Sequence, residues 1–301
     1  MTTDADGRLP QGEETFLDHV GHFVREPQAA SRALARAGFA PTPVSMQADP
    51  SGAPTGTGNV TAMFDRGYIE VLFKTADTAL GREFEAALTG HAGVHLLALS
   101  VVDAERAHAR LTKAGFKMRP LVQFQRPVGT ESGSGIAAFT VARVERGEMA
   151  EGRIQILTHR TEDTVWQERW LAHPNGAVGL FDVVIAVADV AEAAERFIRF
   201  ADRNAVSTKF GWAVMLDRGA VQLVSAKSFA ELLPEVRIPS LPFMGAYGVA
   251  VSSLEKAEAV LRQGQVPAHR MDRALVARMP QELGIGAWLF VERPADLPWR
   301  S

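Results

Sequence analysis

The chain has eight histidines and no cysteine, so its chemistry falls to imidazoles, carboxylates and amides. Thiolate catalysis, disulfides and cysteine-based zinc sites are excluded. Side chains along a strand alternate between two faces. In YIEVLF, Ile69, Val71 and Phe73 suit packing against helices, which puts Glu70 on the opposite face with Tyr68 and Leu72. In RIQILTH, Gln155 shares its face with Arg153 and His159, away from Ile154 and Ile156. His19 alternates with Val20, and His95 with Val94 and Leu96, so His19, Glu70, His95 and Gln155 can all face the same way. A carboxylate so placed can move a proton, given reach first and a tuned pKa second. Tyr68 and Arg153 on those faces are candidates to bind a substrate hydroxyl or carboxylate. The bland alternative is a half-buried aromatic and a rim charge.

The other histidines read as structural. His22 faces away from this set, His91 and His108 read as surface residues, and His159 reads as a strand-end residue able to orient a neighbour. His173 opens an HPNG turn and reads as packing at a domain junction; Trp166 and Trp170, four apart, read as one helical face. No G-x-S-x-G, no P-loop and no G-x-G-x-x-G following a strand occurs.

What must position these residues is a repeat. Each copy is a short apolar strand, a helix, and later a strand opening near Gly. The first runs from FLDHVGHFV through a helix over Pro27–Ala37 to a hairpin turning at Asp65-Arg66-Gly67. The second runs from GVHLLALSVV through a helix over Asp103–Ala114, with Asp103 as N-cap, to GRIQILTH. AGF ends both helices, at 37–39 and 114–116. A third copy opens with GLFDVVIAVAD and repeats the DRG turn at 217–219; a fourth opens with GAYGVAVSS and has a helix over Leu254–Gln263. The Gly/Pro/Ser-rich stretches Ala48–Gly58 and Arg126–Gly135 read as long loops of the kind that form lids.

At 301 residues, 47% hydrophobic and 22% charged, the composition suits two globular domains. A net charge of −3 without basic runs points to no nucleic-acid partner. No apolar stretch reaches the ~20 residues of a membrane span, and the polar, acidic start is no signal peptide. The expected address is the cytoplasm.

The repeat plan, with His in a first strand and Glu in a last one, resembles the vicinal oxygen chelate superfamily, and LAHPNGAVGL resembles its glyoxalase-like domain group. The resemblance spans residues 15–293. It implies an α+β fold of two tandem domains, each a pair of βαβββ modules forming a cup-shaped mixed sheet with helices outside. The expected division is a disordered leader over 1–14, an N-terminal domain over 15–172 and a degenerate C-terminal domain over 173–301. Metal ligands in this superfamily come from first and last strands. That implies His19, Glu70, His95 and Gln155 in the N-terminal cup, whereas the matching positions Asp182, Gln222, Gly248 and Leu289 have lost that chemistry. Such a set suits Zn, Ni, Mn, Co or Fe(II). The implied function is a metal-dependent lyase, isomerase or dioxygenase acting on a small molecule with adjacent oxygens, with Glu70 catalytic. The alternative is metal-free binding or sequestration. The C-terminal cup is left to buttress the first or to form a homodimer.

Overall fold

The computed structural model describes residues 7–49, 51–131 and 133–300. Four modules follow one another. The first is β1 (Phe16–Phe23), α1 (Pro27–Arg36), β2 (Ser45–Ala48), β3 (Pro54–Met63) and β4 (Tyr68–Lys74); α2 (Ala79–Leu88) follows it. The second is β5 (Gly93–Ser100), α3 (Ala104–Lys113), β6 (Val122–Thr130), β7 (Gly133–Arg143) and β8 (Arg153–His159), followed by the short α4 (Glu162–Val165). The third is β9 (Ala177–Val187), α5 (Val190–Ala201), β10 (Ala205–Thr208), β11 (Gly211–Met215) and β12 (Ala220–Ser225), followed by α6 (Ala226–Leu232). The fourth is β13 (Phe243–Val251), α7 (Leu254–Gln263), β14 (Ala268–Met271), β15 (Ala274–Arg278) and β16 (Ala287–Val291).

Local chemistry sets the element ends. Asp103 caps α3 by accepting from Arg106 N–H at 2.9 Å, and Pro27 opens α1 where its missing N–H costs nothing. Gly38 and Gly115, in the repeated AGF, leave α1 and α3 with φ of +80° and +92°.

In the first module β1 runs parallel to β4, and β4, β3 and β2 are antiparallel neighbours; β5 to β8 repeat the plan. The two modules pair through β1 and β5, antiparallel. A bridge between Ala48 on β2 and Gln125 on β6 joins the far edges, closing an eight-stranded ring. The stretches expected to be loops are therefore hairpin strands. Ser/Thr/Gly-rich β2–β3 and β6–β7 arms lean together and complete the barrel wall. The C-terminal half pairs the same way through β9 and β13, but among the described residues β10 and β14 do not meet, so that cup stays open.

The helices α1, α3, α5 and α7 cover the convex faces, and their apolar residues merge with both sheets into one core that includes Leu34, Leu111, Phe200 and Leu261. The helices between modules do something else. Phe84 and Leu88 of α2 enter the N-terminal barrel beside Leu72, Leu96 and Leu157. Phe229 and Leu232 of α6, with Leu297 and Trp299 of the C-terminal segment, fill the second cup against Val184 and Leu289.

The DRG turns join the halves reciprocally. Arg66 C=O accepts from Leu180 N–H at the start of β9, and Arg218 C=O accepts from Leu17 N–H at the start of β1, both at 2.8 Å. His173 and Asn175 lock the connecting segment to the first half: His173 Nε2–H donates to Met63 C=O at 2.6 Å and Asn175 Nδ2 donates to Ala37 C=O at 2.9 Å. The first six residues of the expected leader lie outside the described residues. In the rest of it, Gly7 and Arg8 carbonyls accept from Arg218, Arg8 pairs with Glu168, and Pro10 is buried. Trp166 and Trp170 do not share a helix: α4 ends before Trp166, and a separate 3-10 turn carries Trp170.

Candidate functional site

The N-terminal barrel holds a cavity of about 60 Å³ that opens to solvent. Strand alternation places its walls as expected for two strands: Tyr68, Glu70 and Leu72 from β4, and Arg153, Gln155 and Leu157 from β8. His19 of β1 joins them, buried, with its ring stacked on Tyr68 at 4.4 Å between centroids.

His95 is not among them. The pairing of β5 with β1 skips it: Gly21 opposes Leu96 and His22 opposes Val94, so His95 is the extra residue of a bulge. Leu96 takes the inward place, opposite Arg153. The His95 ring instead packs on Phe23 and His91, with Nε2 2.9 Å from His91 C=O. Burial pushes its pKa down.

A second bulge brings in a residue that alternation hid. Leu17 opposes Leu99 and His19 opposes Ala98, leaving Asp18 as the extra residue, so Asp18 and His19 turn the same way. Asp18 Oδ1 accepts from His19 Nδ1–H at 2.6 Å, and its Oδ2 accepts from His159 Nε2–H at 2.8 Å. Burial alone raises the Asp18 carboxyl, but the two imidazoles, His159 first, reverse this and hold it well below the usual carboxylate range. His159 is buried against Trp166 and Phe139 rather than solvated. Tyr68 is raised by burial and by the carboxylates of Asp18 and Glu70, which keeps it a neutral phenol.

With Nδ1–H given to Asp18, His19 turns Nε2 toward Glu70 Oε2, 3.4 Å away. The other carboxylate oxygen, Glu70 Oε1, accepts from Asn59 Nδ2 at 2.6 Å. His19 Nε2 and Glu70 Oε2 thus stand side by side on the cavity wall, each oriented through its group's other end.

Three guanidiniums share the cavity. Arg153 donates to Glu83 of α2 at 3.0 Å and lies over the Phe84 ring; Arg143 Nε donates to Gln155 Oε1 at 3.1 Å and lies over Phe124; Arg126 stands near Glu70 and Tyr68. Burial lowers all three, Arg143 to about 9 and Arg153 to about 10. Arg126 and Arg143 lie in or beside stretches where no site residue was expected. The inward phase of β6 and β7 identifies them; for Arg126 that phase is hidden where the sequence reads as a loop, whereas Arg143 lies beyond that stretch, at the end of β7.

A divalent cation is what the fold resemblance implies, and the donor set does not fit one. Only His19 Nε2 and Glu70 Oε2 converge. Gln155 Oε1 is engaged by Arg143, His95 lies behind the wall, and two guanidiniums beside Glu70 oppose a dication. Among the described residues no group of three or more His, Cys, Asp or Glu is placed to hold a metal.

In the C-terminal cup the position of His19 is taken by Asp182, buried, with φ of +45°. Its carboxylate accepts from Trp299 Nε1–H at 2.7 Å and from Arg300 Nε–H at 2.6 Å, so the chain's own C-terminal segment occupies that place. Gln222, at the position of Glu70, donates to Thr208 Oγ1.

Paired βαβββ modules joined through their first strands, with a polar site within the barrel, define a vicinal oxygen chelate fold. The sequence matches the family described as "Glyoxalase-like domain" over residues 17–200, and the chain belongs to that family. A search of curated proteins finds no match. Among solved structures, the chain is similar to a hypothetical protein from Staphylococcus aureus (TM-score 0.63, 10% identity, covering 92% of this chain and 98% of that one). It is also similar to a mutant of 4-hydroxymandelate synthase from Streptomyces coelicolor (TM-score 0.61, 14% identity, 93% of each chain). A third is the Mn(II)-bound glyoxalase from Novosphingobium aromaticivorans (TM-score 0.54, 11% identity, 94% and 84%). Among the described residues no helix is long and apolar enough to cross a membrane.

Proposed function

We propose that the N-terminal barrel carries out proton transfer on a small molecule with adjacent oxygen atoms, an isomerase- or lyase-type reaction, using Glu70 and His19 as the proton-handling pair. The observation that carries this reading is the orientation of the pair. Asp18 fixes the His19 tautomer through Nδ1, as in acid–base dyads generally, and Asn59 fixes Glu70, so His19 Nε2 and Glu70 Oε2 both address the cavity 3.4 Å apart. A proton taken from a carbon next to a carbonyl can rest on either atom and be returned to the neighbouring carbon or oxygen. The phenol of Tyr68, stacked on His19, excludes water from that side.

Metal dependence is left out of this reading because the donor set offers two ligands. Of the similar structures, one is a Mn(II)-bound glyoxalase and another a mutant of 4-hydroxymandelate synthase. The metal in the first supports chemistry on adjacent oxygens for the fold without supplying the missing donors here. Metal-free sequestration is the second reading, supported by that same shortage of donors.

The test is solvent-deuterium incorporation, followed by proton NMR, into a panel of α-hydroxy ketones and 2-oxo acids. Exchange by the wild type that falls by about 10²–10⁴-fold in Glu70→Gln supports proton transfer. Exchange equal in both, or none with any member, overturns it and leaves sequestration.

A further inference from the structure

We infer that the ligand of this cavity is a small hydroxycarboxylate, its carboxylate held by Arg126 and Arg143; this deepens the proton-transfer reading and rests on it.

Three guanidiniums face the cavity against one carboxylate, Glu70. Arg153 is neutralised: it shares Glu83 with Arg119. Arg126 and Arg143 have no ion-pair partner within 4.0 Å among the described residues. Both are half-buried, and a cation drawn out of water without a counterion is costly. Arg143 is held by Gln155 Oε1 through Nε and by the Phe124 ring, and it lines the cavity. Arg126 comes from the β6 arm whose contact with β2 closes the barrel. Two guanidiniums on the wall of one cavity suit a planar carboxylate, whose two oxygens can take N–H donors from both.

A second observation names the rest of the ligand. Asn59 gives its Nδ2 to Glu70, and its buried Oδ1 has no donor. A ligand hydroxyl would supply that donor and would lie beside Glu70. The cavity of about 60 Å³ admits roughly four waters, or an acid of two or three carbons.

The experiment is calorimetric titration of the full chain with glycolate, its neutral isostere glycolamide, and inorganic phosphate. Saturable glycolate binding is expected, with glycolamide at least about tenfold weaker, because a charge-assisted hydrogen bond is lost. Arg143→Gln and Arg126→Gln should each weaken glycolate by about tenfold or more, while the remote Arg262→Gln leaves it unchanged. Arg143→Lys, which keeps the charge, guards against misfolding: partial recovery of affinity with an unchanged unfolding midpoint is expected. Equal binding of glycolamide, tighter binding of phosphate, or no saturable glycolate binding overturns the assignment. Its failure is separable from that of proton transfer. Deuterium exchange into uncharged hydroxyacetone that still depends on Glu70 would leave the reaction standing and remove only the carboxylate.

Discussion

His19 Nδ1 and Asp18 Oδ1 lie 2.6 Å apart although consecutive strand residues ordinarily point to opposite faces. The bulge that turns Asp18 inward makes one carboxylate serve two imidazoles, His19 toward the cavity and His159 toward the barrel end. Replacing Asp18 by Asn keeps the shape and removes the charge. Because the two imidazole N–H donors lose their charged acceptor, Asp18→Asn should lower stability by about 1.5–3 kcal/mol, read from urea midpoints at constant m-value. Nitrogen-15 shifts should show His19 and His159 losing their fixed tautomers. A loss below 1 kcal/mol would contradict the bridging role.

Acid should destabilise the protein through His22. His22 bridges the halves: Nδ1–H donates to Leu283 C=O at 2.9 Å and Nε2 accepts from Tyr247 O–H at 2.8 Å, while Trp288 donates to the same phenol oxygen. Burial lowers its pKa from 6.5 to about 4. The unfolded chain therefore binds this proton more readily than the folded one. The contribution is complete above pH 6.5 and is lost as pH falls toward 4. A shift of this size corresponds to about 3 kcal/mol. Urea melts from pH 7 to 4 check this, and His22→Gln should make the profile shallower in that window, the remaining slope coming from His91, His95 and His173, which burial also lowers.

Metal content separates the two-donor site from the expected four-ligand one. Untagged protein dialysed against a mild chelator should hold well under one equivalent of Zn, Ni, Mn, Co or Fe by elemental analysis. His95→Ala should change neither that value nor glycolate affinity, since His95 is a bulge residue packed on His91 and Phe23. One firmly held equivalent, lost in both His19→Ala and Glu70→Ala, would overturn the reading of the donor set.

Removing residues 297–300 should open the second cup. Leu297 and Trp299 are fully buried there, and Asp182 would lose Trp299 and Arg300 together. Burial of two large apolar side chains and abandonment of a buried carboxylate point to a loss of about 5 kcal/mol or more. Dye binding to exposed apolar surface and a lowered urea midpoint are the readouts.

The architecture was legible because the repeat carries its own punctuation. AGF ends two helices, DRG makes two turns, and apolar alternation sets the phase of β4 and β8, which put Glu70 and Gln155 inside. Alternation failed at Asp18 and His95 for one shared reason: a bulge breaks the period of two, and nothing in a short apolar strand marks where it will sit. Arg126 was missed because a strand rich in Gly and Pro reads as a loop, and its pairing is decided by the opposite arm; Arg143 lies beyond that stretch, and only its inward phase on β7 marks it. The helices α2 and α6 fill the cups from between the repeats, where a repeat pattern has nothing to say.

The reciprocal DRG turns carry a further consequence. Arg218, in the half whose cup is filled by its own C-terminal segment, receives the Leu17 N–H one residue before Asp18, and its guanidinium lies over Phe16 at 4.2 Å. The half without the acid–base pair thus helps shape the strand that presents it. A lesion at 217–219, remote in sequence from His19, should be felt first at the bulge. The two repeats thus differ in what they hold: one carries the His19–Glu70 pair, and the other anchors the strand on which His19 stands.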